Sequence, residues 1–256
     1  MAETQSEQWR PPLFPPASGQ ISKFAGALRR FFDIQAESVW NDVSAVLPLA
    51  RGTILDVGCG AQPYRRLVNL DAKYLGIDTA QAKACFGYEL PDTTYFSGDV
   101  WPVSDSSVDF VLCTETLEHV FDTRGFLAQA WRCLTRGGTI LLTVPFAARW
   151  HFIPYDYWRF TPSSLKSILE EVQFGQVRVY ARGNATTVAC YKVMALILRL
   201  LMPQNAGALA GLFTRLVGLA FVPLFLVLAV IANLSLLGRG GDDCLGYTVI
   251  AQKGTT

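Results

Sequence analysis

Short apolar runs alternate with amphipathic stretches through the middle of this chain. Residues 54–57, 74–77 and 109–113 are rich in large or β-branched apolar side chains, as strands buried on both faces are. A fourth run, residues 139–144, follows a helical pattern over Arg124 to Leu134 and the turn signal Gly137-Gly138. Strand–helix alternation of this kind predicts a parallel sheet with right-handed crossovers.

Further helices and strands are marked by their ends. Pro63 suits the first position of a helix that the pattern extends to Leu70. The segment 80–92 is interrupted by glycine and proline, which predicts a loop or one weak turn. Thr161 and Pro162 mark the start of a helix over residues 163–172. Strands are then expected at residues 176–181 and 247–253.

The N-terminal region divides into two parts. Residues 1–20 contain two proline pairs with Ser and Gln, which is typical of a flexible segment. Residues 21–48 carry apolar side chains at helical spacing and predict one or two helices. These helices either cover a ligand or only pack against the start of the sheet.

The most apolar part of the chain lies near its C-terminal end, within residues 187–244. Leu216 to Gly238 contains no Asp, Glu, Lys or Arg, and a helix of that length could cross about 30 Å of hydrocarbon. Both ends of the segment must return to one sheet, so a single crossing is excluded. We expect a helical hairpin that dips into one leaflet or lies at the interface, with Pro223 as a candidate kink. The alternatives are burial against a second copy of the chain, giving a homodimer, and a closed lid.

Composition narrows the class of protein. The chain has 256 residues, a net charge of +1, 51% hydrophobic residues and a mean hydropathy of +0.27. The near-zero charge gives no sign of a nucleic-acid-binding surface. Six cysteines without a C-x-x-C pair indicate neither a disulfide framework nor a metal site. The N-terminus does not resemble a signal peptide, so we expect a cytoplasmic protein, peripheral or monotopic at the inner face of a membrane.

Acidic and glycine-bearing turns follow the predicted strands. Ile54 to Gly60 reads as a strand, a carboxylate and two glycines, and Asp78 ends the next strand. A carboxylate there can hold two ribose hydroxyls. Ligands of open parallel sheets lie beyond the carboxyl ends of the strands, so these turns predict one shared site.

Five motifs in this order resemble the class I S-adenosylmethionine-dependent methyltransferases of the type 11 branch. They are D-V-G-C-G at residues 56–60, the acid-ended strand 74–78, Gly98-Asp99-Val100, E-x-L-E-H at 115–119 and L-x-x-G-G-x-x-x-x-x-x-P at 134–145. The resemblance implies one doubly wound, Rossmann-like α/β domain with a seven-stranded mixed sheet in the order 3-2-1-4-5-7-6, the last strand antiparallel. That domain takes residues 49–186 and 245–256, and residues 187–244 form a helical insertion.

The resemblance also implies S-adenosylmethionine as cofactor and assigns residues to it. Asp56, Gly58 and Gly60, with Cys59 between them, would hold the aminocarboxypropyl part and the ribose. Asp78 and Thr79 would hold the ribose hydroxyls, and Asp99 with Val100 the adenine edge. Thr114 would take the amino group through its backbone carbonyl. Gln62 stands where a third glycine is common, so the shape of the turn is left open.

The two histidines are the sequence's candidates for catalysis. A hydroxyl acceptor must lose a proton, and an imidazole with a pKa near 6.5 can accept it. His151 and His119 are therefore both candidate bases, although the Glu118-His119 pair also has a structural interpretation. Tyr155, Tyr157, Trp158 and Arg159 are candidate acceptor-binding residues, or else an aromatic cluster that packs over the sheet edge. Two histidines on separate loops show no ligand spacing, so no metal is expected.

The sequence thus predicts methyl transfer, most simply to oxygen, on a small or lipid-linked acceptor near a membrane. The acceptor could be a quinone-like ring, a lipid-linked sugar or a polyketide-like tail. An NAD(P)-dependent oxidoreductase is the first alternative, although the full G-x-G-x-x-G spacing is missing. A non-catalytic binding protein on the same fold is the second.

Overall fold

A central sheet separates two apolar layers. The computed structural model describes residues 20–82, 89–204, 206–238 and 240–254. The predicted flexible N-terminus, apart from Gln20, and residues 83–88 of the predicted loop lie outside these ranges. Seven strands form the sheet: β1 (Thr53–Val57), β2 (Lys73–Thr79), β3 (Thr93–Phe96), β4 (Val108–Thr114), β5 (Leu134–Pro145), β6 (Phe174–Arg182) and β7 (Gly246–Lys253).

The strand order confirms the predicted fold. It runs β3-β2-β1-β4-β5-β7-β6, and β7 pairs antiparallel with both β5 and β6. β1 to β5 are parallel, so the ends of β1, β2 and β4 lie side by side at one edge. Their interiors are apolar on both faces because helices cover both faces.

Seven α-helices that lie wholly within the described residues surround the sheet. They are α1 (Gln20–Phe32), α2 (Ile34–Val46), α3 (Thr123–Cys133), α4 (Pro162–Glu171), α5 (Ala185–Leu201), α6 (Ala208–Ala220) and α7 (Val222–Ser235). α2 buries Val39 and Val43 against one face of the sheet, and α3 and α4 bury Leu127 and Leu165 against the other. α4 begins as its sequence indicates, because Thr161 and Ser164 form a reciprocal capping pair.

Two details of the sequence prediction are wrong. No long helix follows the glycine turn; a single 3-10 turn covers Arg65–Leu67, and the chain is extended again at Val68. Gln62 has a left-handed φ of 53°, and its side chain bonds to Thr93 and Arg65, which fixes a compact loop instead. β5 also begins before the glycine pair, at Leu134, where α3 ends.

The apolar insertion is built from α5, α6 and α7. α5 and α7 pack together and share a small core with Ile34 and Leu245. The expected long helix is broken at Phe221, and α6 and α7 meet at a bend of 54°. Pro223 has no N–H to donate to the preceding turn, so it suits the first turn of a new helix.

Among the described residues, no single helix is both long and apolar enough to cross a bilayer. α6 and α7 meet that test only when they are taken together across their bend. α6 leaves much of its apolar surface exposed, including Leu212, Phe213 and Leu216.

Candidate active site

The turn after β1 brings backbone N–H groups and a carboxylate together. Gly58 and Gly60 have left-handed φ values of 68° and 48°, which favour glycine. A Cβ at Gly58 would lie 2.4 Å from Oγ1 of Thr116, so the turn packs directly against the end of β4. Gly60 donates its N–H to Asp78 at 2.9 Å, which ties the β1 turn to the end of β2.

Asp78 has the geometry of a hydroxyl-binding acid. Its Oδ1 accepts the N–H of Thr79 at 2.7 Å and its Oδ2 that of Gly60, so each oxygen keeps further acceptor capacity. Burial raises the pKa of Asp78, while the two backbone N–H groups lower it. The fixed carboxylate and the glycine cradle fit the ribose of a nucleoside cofactor.

Asp56 faces inward. It is buried, and its Oδ2 accepts the hydroxyl of Tyr74 at 2.6 Å. Burial raises the pKa of Asp56 to about 7; the hydrogen bond from Tyr74 opposes this rise, and the nearby charge of Asp78 adds to it. Asp56 therefore lies on the buried side of the turn, where Tyr74 holds it in place. Its direct contact with the cofactor stays a prediction.

The other predicted cofactor residues occupy different surroundings. Cys59 is buried beside Thr93, whereas Asp99 and Val100 are exposed just beyond β3. The carbonyl of Thr114 already accepts the hydroxyl of Thr116 at 3.0 Å. Thr116, which no sequence motif marks as a site residue, thus contacts both the glycine turn and the predicted amino-group acceptor.

The structure brings the two histidines together. Their ring centroids are 5.0 Å apart in an edge-to-face arrangement, although the residues lie on different loops. Nδ1 of His119 lies 2.8 Å from the carbonyl oxygen of Tyr155. Burial lowers the pKa of His119. Both candidate bases therefore belong to one cluster at the ends of β4 and β5.

Asp156 organises the aromatic loop. Both of its oxygens accept from Arg159, at 2.6 and 2.8 Å, and Oδ2 also accepts the N–H of His151. Burial alone would raise the pKa of Asp156, but the hydrogen bonds from Arg159 and His151 hold it well below its ordinary value. Arg159 is thus held by the loop itself. Opposite charges three residues apart were the only sequence signal for this pair.

A cavity of 350 Å³ opens in this loop and is lined partly by predicted acceptor-binding residues. Its walls are Ala148, Trp150, Asp156, Tyr157, Trp158 and Arg159. Tyr155, Tyr157 and Trp158 each expose about two-fifths of their surface. Aromatic faces beside a fixed ion pair suit a ring-bearing or sugar-bearing acceptor.

The arrangement defines a class of protein. The sheet has the strand order 3-2-1-4-5-7-6, a glycine turn follows β1 and a fixed acid ends β2. Together these features are typical of a class I S-adenosylmethionine-dependent methyltransferase. The cofactor of that class is S-adenosylmethionine.

Comparison with known proteins agrees. Residues 55–142 match the family model described as a methyltransferase domain. The chain is 30% identical over 151 residues to a ubiquinone biosynthesis O-methyltransferase of Xanthomonas oryzae, covering 50% of this chain and 63% of the relative. It is 28% identical over 100 residues to a probable S-adenosylmethionine-dependent methyltransferase of Mycolicibacterium smegmatis, covering 36% and 37%. The chain thus spans less than two thirds of the length of these curated relatives.

Solved structures show the same fold. A SAM-dependent methyltransferase from Archaeoglobus fulgidus superposes with a TM-score of 0.53 at 16% identity, covering 90% of this chain and all of that one. A possible histamine N-methyltransferase from Thermotoga maritima gives 0.53 at 15% identity, covering 90% and 97%. The sheet of this chain therefore has the fold of those structures, and residues 55–142 within it match a methyltransferase domain.

Proposed function

We propose that this protein transfers a methyl group from S-adenosylmethionine to an oxygen of a small or lipid-linked acceptor at a membrane surface. The observation that carries the proposal is the position of the apolar helices. α5 starts three residues after β6, which ends at the same sheet edge as the cofactor residues. Lys192 of α5 also bonds to the carbonyl of Ala147, beside the cavity in the aromatic loop.

The chemistry would be divided among residues at that edge. When bound, S-adenosylmethionine supplies an electrophilic methyl group on a sulfonium. Asp78 and the backbone of Gly60 would hold its nucleoside part. Tyr157 and Trp158 would hold the acceptor ring, and alignment of its oxygen contributes much of the acceleration. His151 and His119 stay the predicted groups that assist loss of the acceptor proton.

Oxygen is favoured as the acceptor atom by two facts. The match to a relative named as a ubiquinone biosynthesis O-methyltransferase extends over half of this chain. Both histidines lie beside the predicted acceptor residues. A quinone-like ring on a lipid tail would satisfy the aromatic loop and the apolar helices at once.

Contact with the membrane would come from α6. Leu212, Phe213 and Leu216 are 55%, 70% and 57% exposed. The free energy falls when exposed apolar surface of this kind is buried in a bilayer or against a second subunit. We assign it to the interface of a bilayer, at the cytoplasmic face, and keep the homodimer as the competing outcome.

The experiment uses the full chain and a membrane lipid extract. When the protein is incubated with the extract and methyl-tritiated S-adenosylmethionine, we expect a labelled lipid and S-adenosylhomocysteine. Absence of any labelled product, with retained binding of S-adenosylhomocysteine by calorimetry, would contradict the methyl-transfer proposal. Calorimetry with NAD should show no binding.

A variant separates membrane contact from chemistry. The triple change Leu212→Ser, Phe213→Ser and Leu216→Ser should reduce partitioning onto vesicles of phosphatidylethanolamine and phosphatidylglycerol. Binding of S-adenosylhomocysteine, measured by calorimetry, should be unchanged. Leu70→Ser is the matched control, because Leu70 is fully exposed in the loop before β2. The competing outcome is a wild-type protein that is a dimer and does not bind vesicles, and a triple variant that is a monomer. That result would show that the exposed apolar surface of α6 forms the homodimer interface.

A further inference from the structure

We propose that Glu118, His119 and His151 form a binding site for a divalent transition-metal ion. Each of the three residues offers one ligand atom, and these atoms lie within 4.8 Å of one another. Nε2 of His119 is 3.6 Å from Oε1 of Glu118. Neighbouring ligands of an ion bound at about 2.1 Å lie roughly 3 to 3.5 Å apart, so small side-chain rotations would close the site.

The hydrogen bonds of the two imidazoles leave lone pairs available. Nδ1 of His119 faces the carbonyl oxygen of Tyr155, which can only accept, so this nitrogen carries the proton. Nδ1 of His151 faces the carbonyl oxygen of Arg149 at 2.9 Å and the carboxylate of Asp156 at 3.1 Å, and the same argument applies. Nε2 of each neutral ring is then unprotonated. Metal-binding histidines usually donate their second ring N–H to a carbonyl or carboxylate in this way.

Glu118 supplies the second, independent observation. Its side chain is completely buried, and neither carboxylate oxygen accepts a hydrogen bond from any residue in the described ranges. A buried carboxylate without donors is costly in free energy. Nε2 of His119, which lies beside Oε1 of Glu118, is also an acceptor in the tautomer set by Tyr155. When Glu118 is ionised, these two atoms are acceptors 3.6 Å apart, and a cation between them stabilises both.

The surrounding loops hold these residues in place. The backbone carbonyl of Glu118 accepts the N–H groups of Tyr157 and Trp158 at 2.9 and 3.3 Å. The indole of Trp158 also donates to the carbonyl of Val120 at 3.0 Å. The turn after β4 and the aromatic loop after β5 are thereby joined, so the ligands come from a preformed pair of loops.

The ligand set indicates which ions fit. Two imidazoles and one carboxylate suit Fe²⁺, Mn²⁺, Co²⁺ or Zn²⁺ better than Mg²⁺, and three protein ligands leave positions open. The cavity lined by Asp156, Tyr157 and Trp158 adjoins this cluster through Asp156. Where the proposed function holds, an acceptor hydroxyl bound at an open position would lose its proton more easily. Binding of the ion itself does not depend on the proposed function.

The test measures the ion directly, without cofactor or acceptor. Full-length protein treated with a chelator is titrated with Co²⁺, Zn²⁺ and Mg²⁺ by calorimetry, and the Co²⁺ complex is examined by visible absorption. We expect one Co²⁺ or Zn²⁺ per chain, a weak response to Mg²⁺ and a Co²⁺ spectrum with no sulfur charge-transfer band. A thiolate band would show that cysteines bind the ion and would overturn the assignment.

Variants locate the ion. His151→Gln and His119→Gln should each weaken Co²⁺ binding by more than about tenfold. Glu118→Gln should do the same, but it alters a buried group, so its thermal unfolding is measured alongside. Glu171→Gln is the matched control, because that carboxylate forms an exposed ion pair with Arg124. Unchanged stoichiometry and affinity in the two histidine variants, both folded, would overturn the proposal.

Discussion

Gly58→Ala tests whether the turn after β1 depends on close contact with the end of β4. The new Cβ would lie 2.4 Å from Oγ1 and 2.6 Å from Cγ2 of Thr116. The backbone would also have to keep a φ of 68° with a side chain present. Two separate costs therefore act at one position.

Their magnitudes can be estimated. A left-handed conformation costs an alanine about 1 to 2 kcal/mol. Overpacking of this severity costs about 1 to 3 kcal/mol. Thr116 could rotate away, but it would lose its hydrogen bond to the carbonyl of Thr114, worth about 1 kcal/mol. We expect the free energy of unfolding to fall by about 2 to 5 kcal/mol in total.

The assay is urea unfolding followed by circular dichroism, with calorimetry of S-adenosylhomocysteine binding on the same samples. Thr116→Ala in the Gly58→Ala background should recover only part of the packing loss and none of the backbone loss, because Cβ of residue 116 stays 3.0 Å from the added Cβ and the hydrogen bond to Thr114 is gone. Gly98→Ala is the control: Gly98 has a φ of 89°, and no atom of the described residues would lie within 4 Å of a Cβ added there, so this variant should show the backbone cost alone. A Gly58→Ala protein within about 0.5 kcal/mol of wild type, with unchanged binding, would refute the reasoning.

Three further changes test other parts of the structure. Burial raises the pKa of Asp56 to about 7, so between about pH 4 and 7 the folded protein keeps a proton on Asp56 that the unfolded chain has released. The free energy of unfolding of the wild type should therefore fall across this range by up to about 4 kcal/mol, and Asp56→Asn should flatten that dependence in urea titrations. Arg182→Met should lower the free energy of unfolding by about 3 kcal/mol, since buried Arg182 bonds to Ser38, Glu115 and the carbonyl of Val144. Arg178→Met, on the same strand, is the control, and equal losses in the two variants would contradict the importance of these bonds. Leu142→Ala should cost about 2 to 5 kcal/mol in thermal unfolding because Leu142 is completely buried in β5, and a loss below about 1 kcal/mol would show that the core collapses around it.

The sheet was predictable because its strands leave strong local signals. Strands buried on both faces need continuous apolar runs, and their carboxyl ends need glycines or acids where the chain turns toward a ligand. Residues 54–60 and 74–78 carry both signals. The strand order came from the family resemblance, since local pattern alone does not specify which strands pair.

The segment after the glycine turn was not predictable from pattern. Its apolar spacing suits a helix, yet Gln62 adopts a left-handed conformation and bonds across to Thr93 on β3. That contact joins residues 31 positions apart, so no local rule contains it. The break at Phe221, by contrast, lies beside Pro223, the candidate kink in the sequence. The packing of α6 on α5 was not predictable, because it depends on Gly218, where an added Cβ would lie within 3 Å of the backbone of Leu200 and Leu201.

The cluster of Glu118, His119 and His151 shows most clearly what spacing rules leave out. A search for metal ligands along the chain looks for residues a few positions apart on one element, and here His119 and His151 are 32 positions apart. β4 and β5 are neighbouring parallel strands, so the loops that follow them meet at the same edge whatever the length of chain between them. Hydrogen-bond acceptors on those loops also matter, because the backbone carbonyls of Tyr155 and Arg149 set the tautomers of His119 and His151. No side-chain motif records a backbone carbonyl. In an open parallel sheet, candidate ligands are therefore better compared between adjacent strand ends than along the sequence.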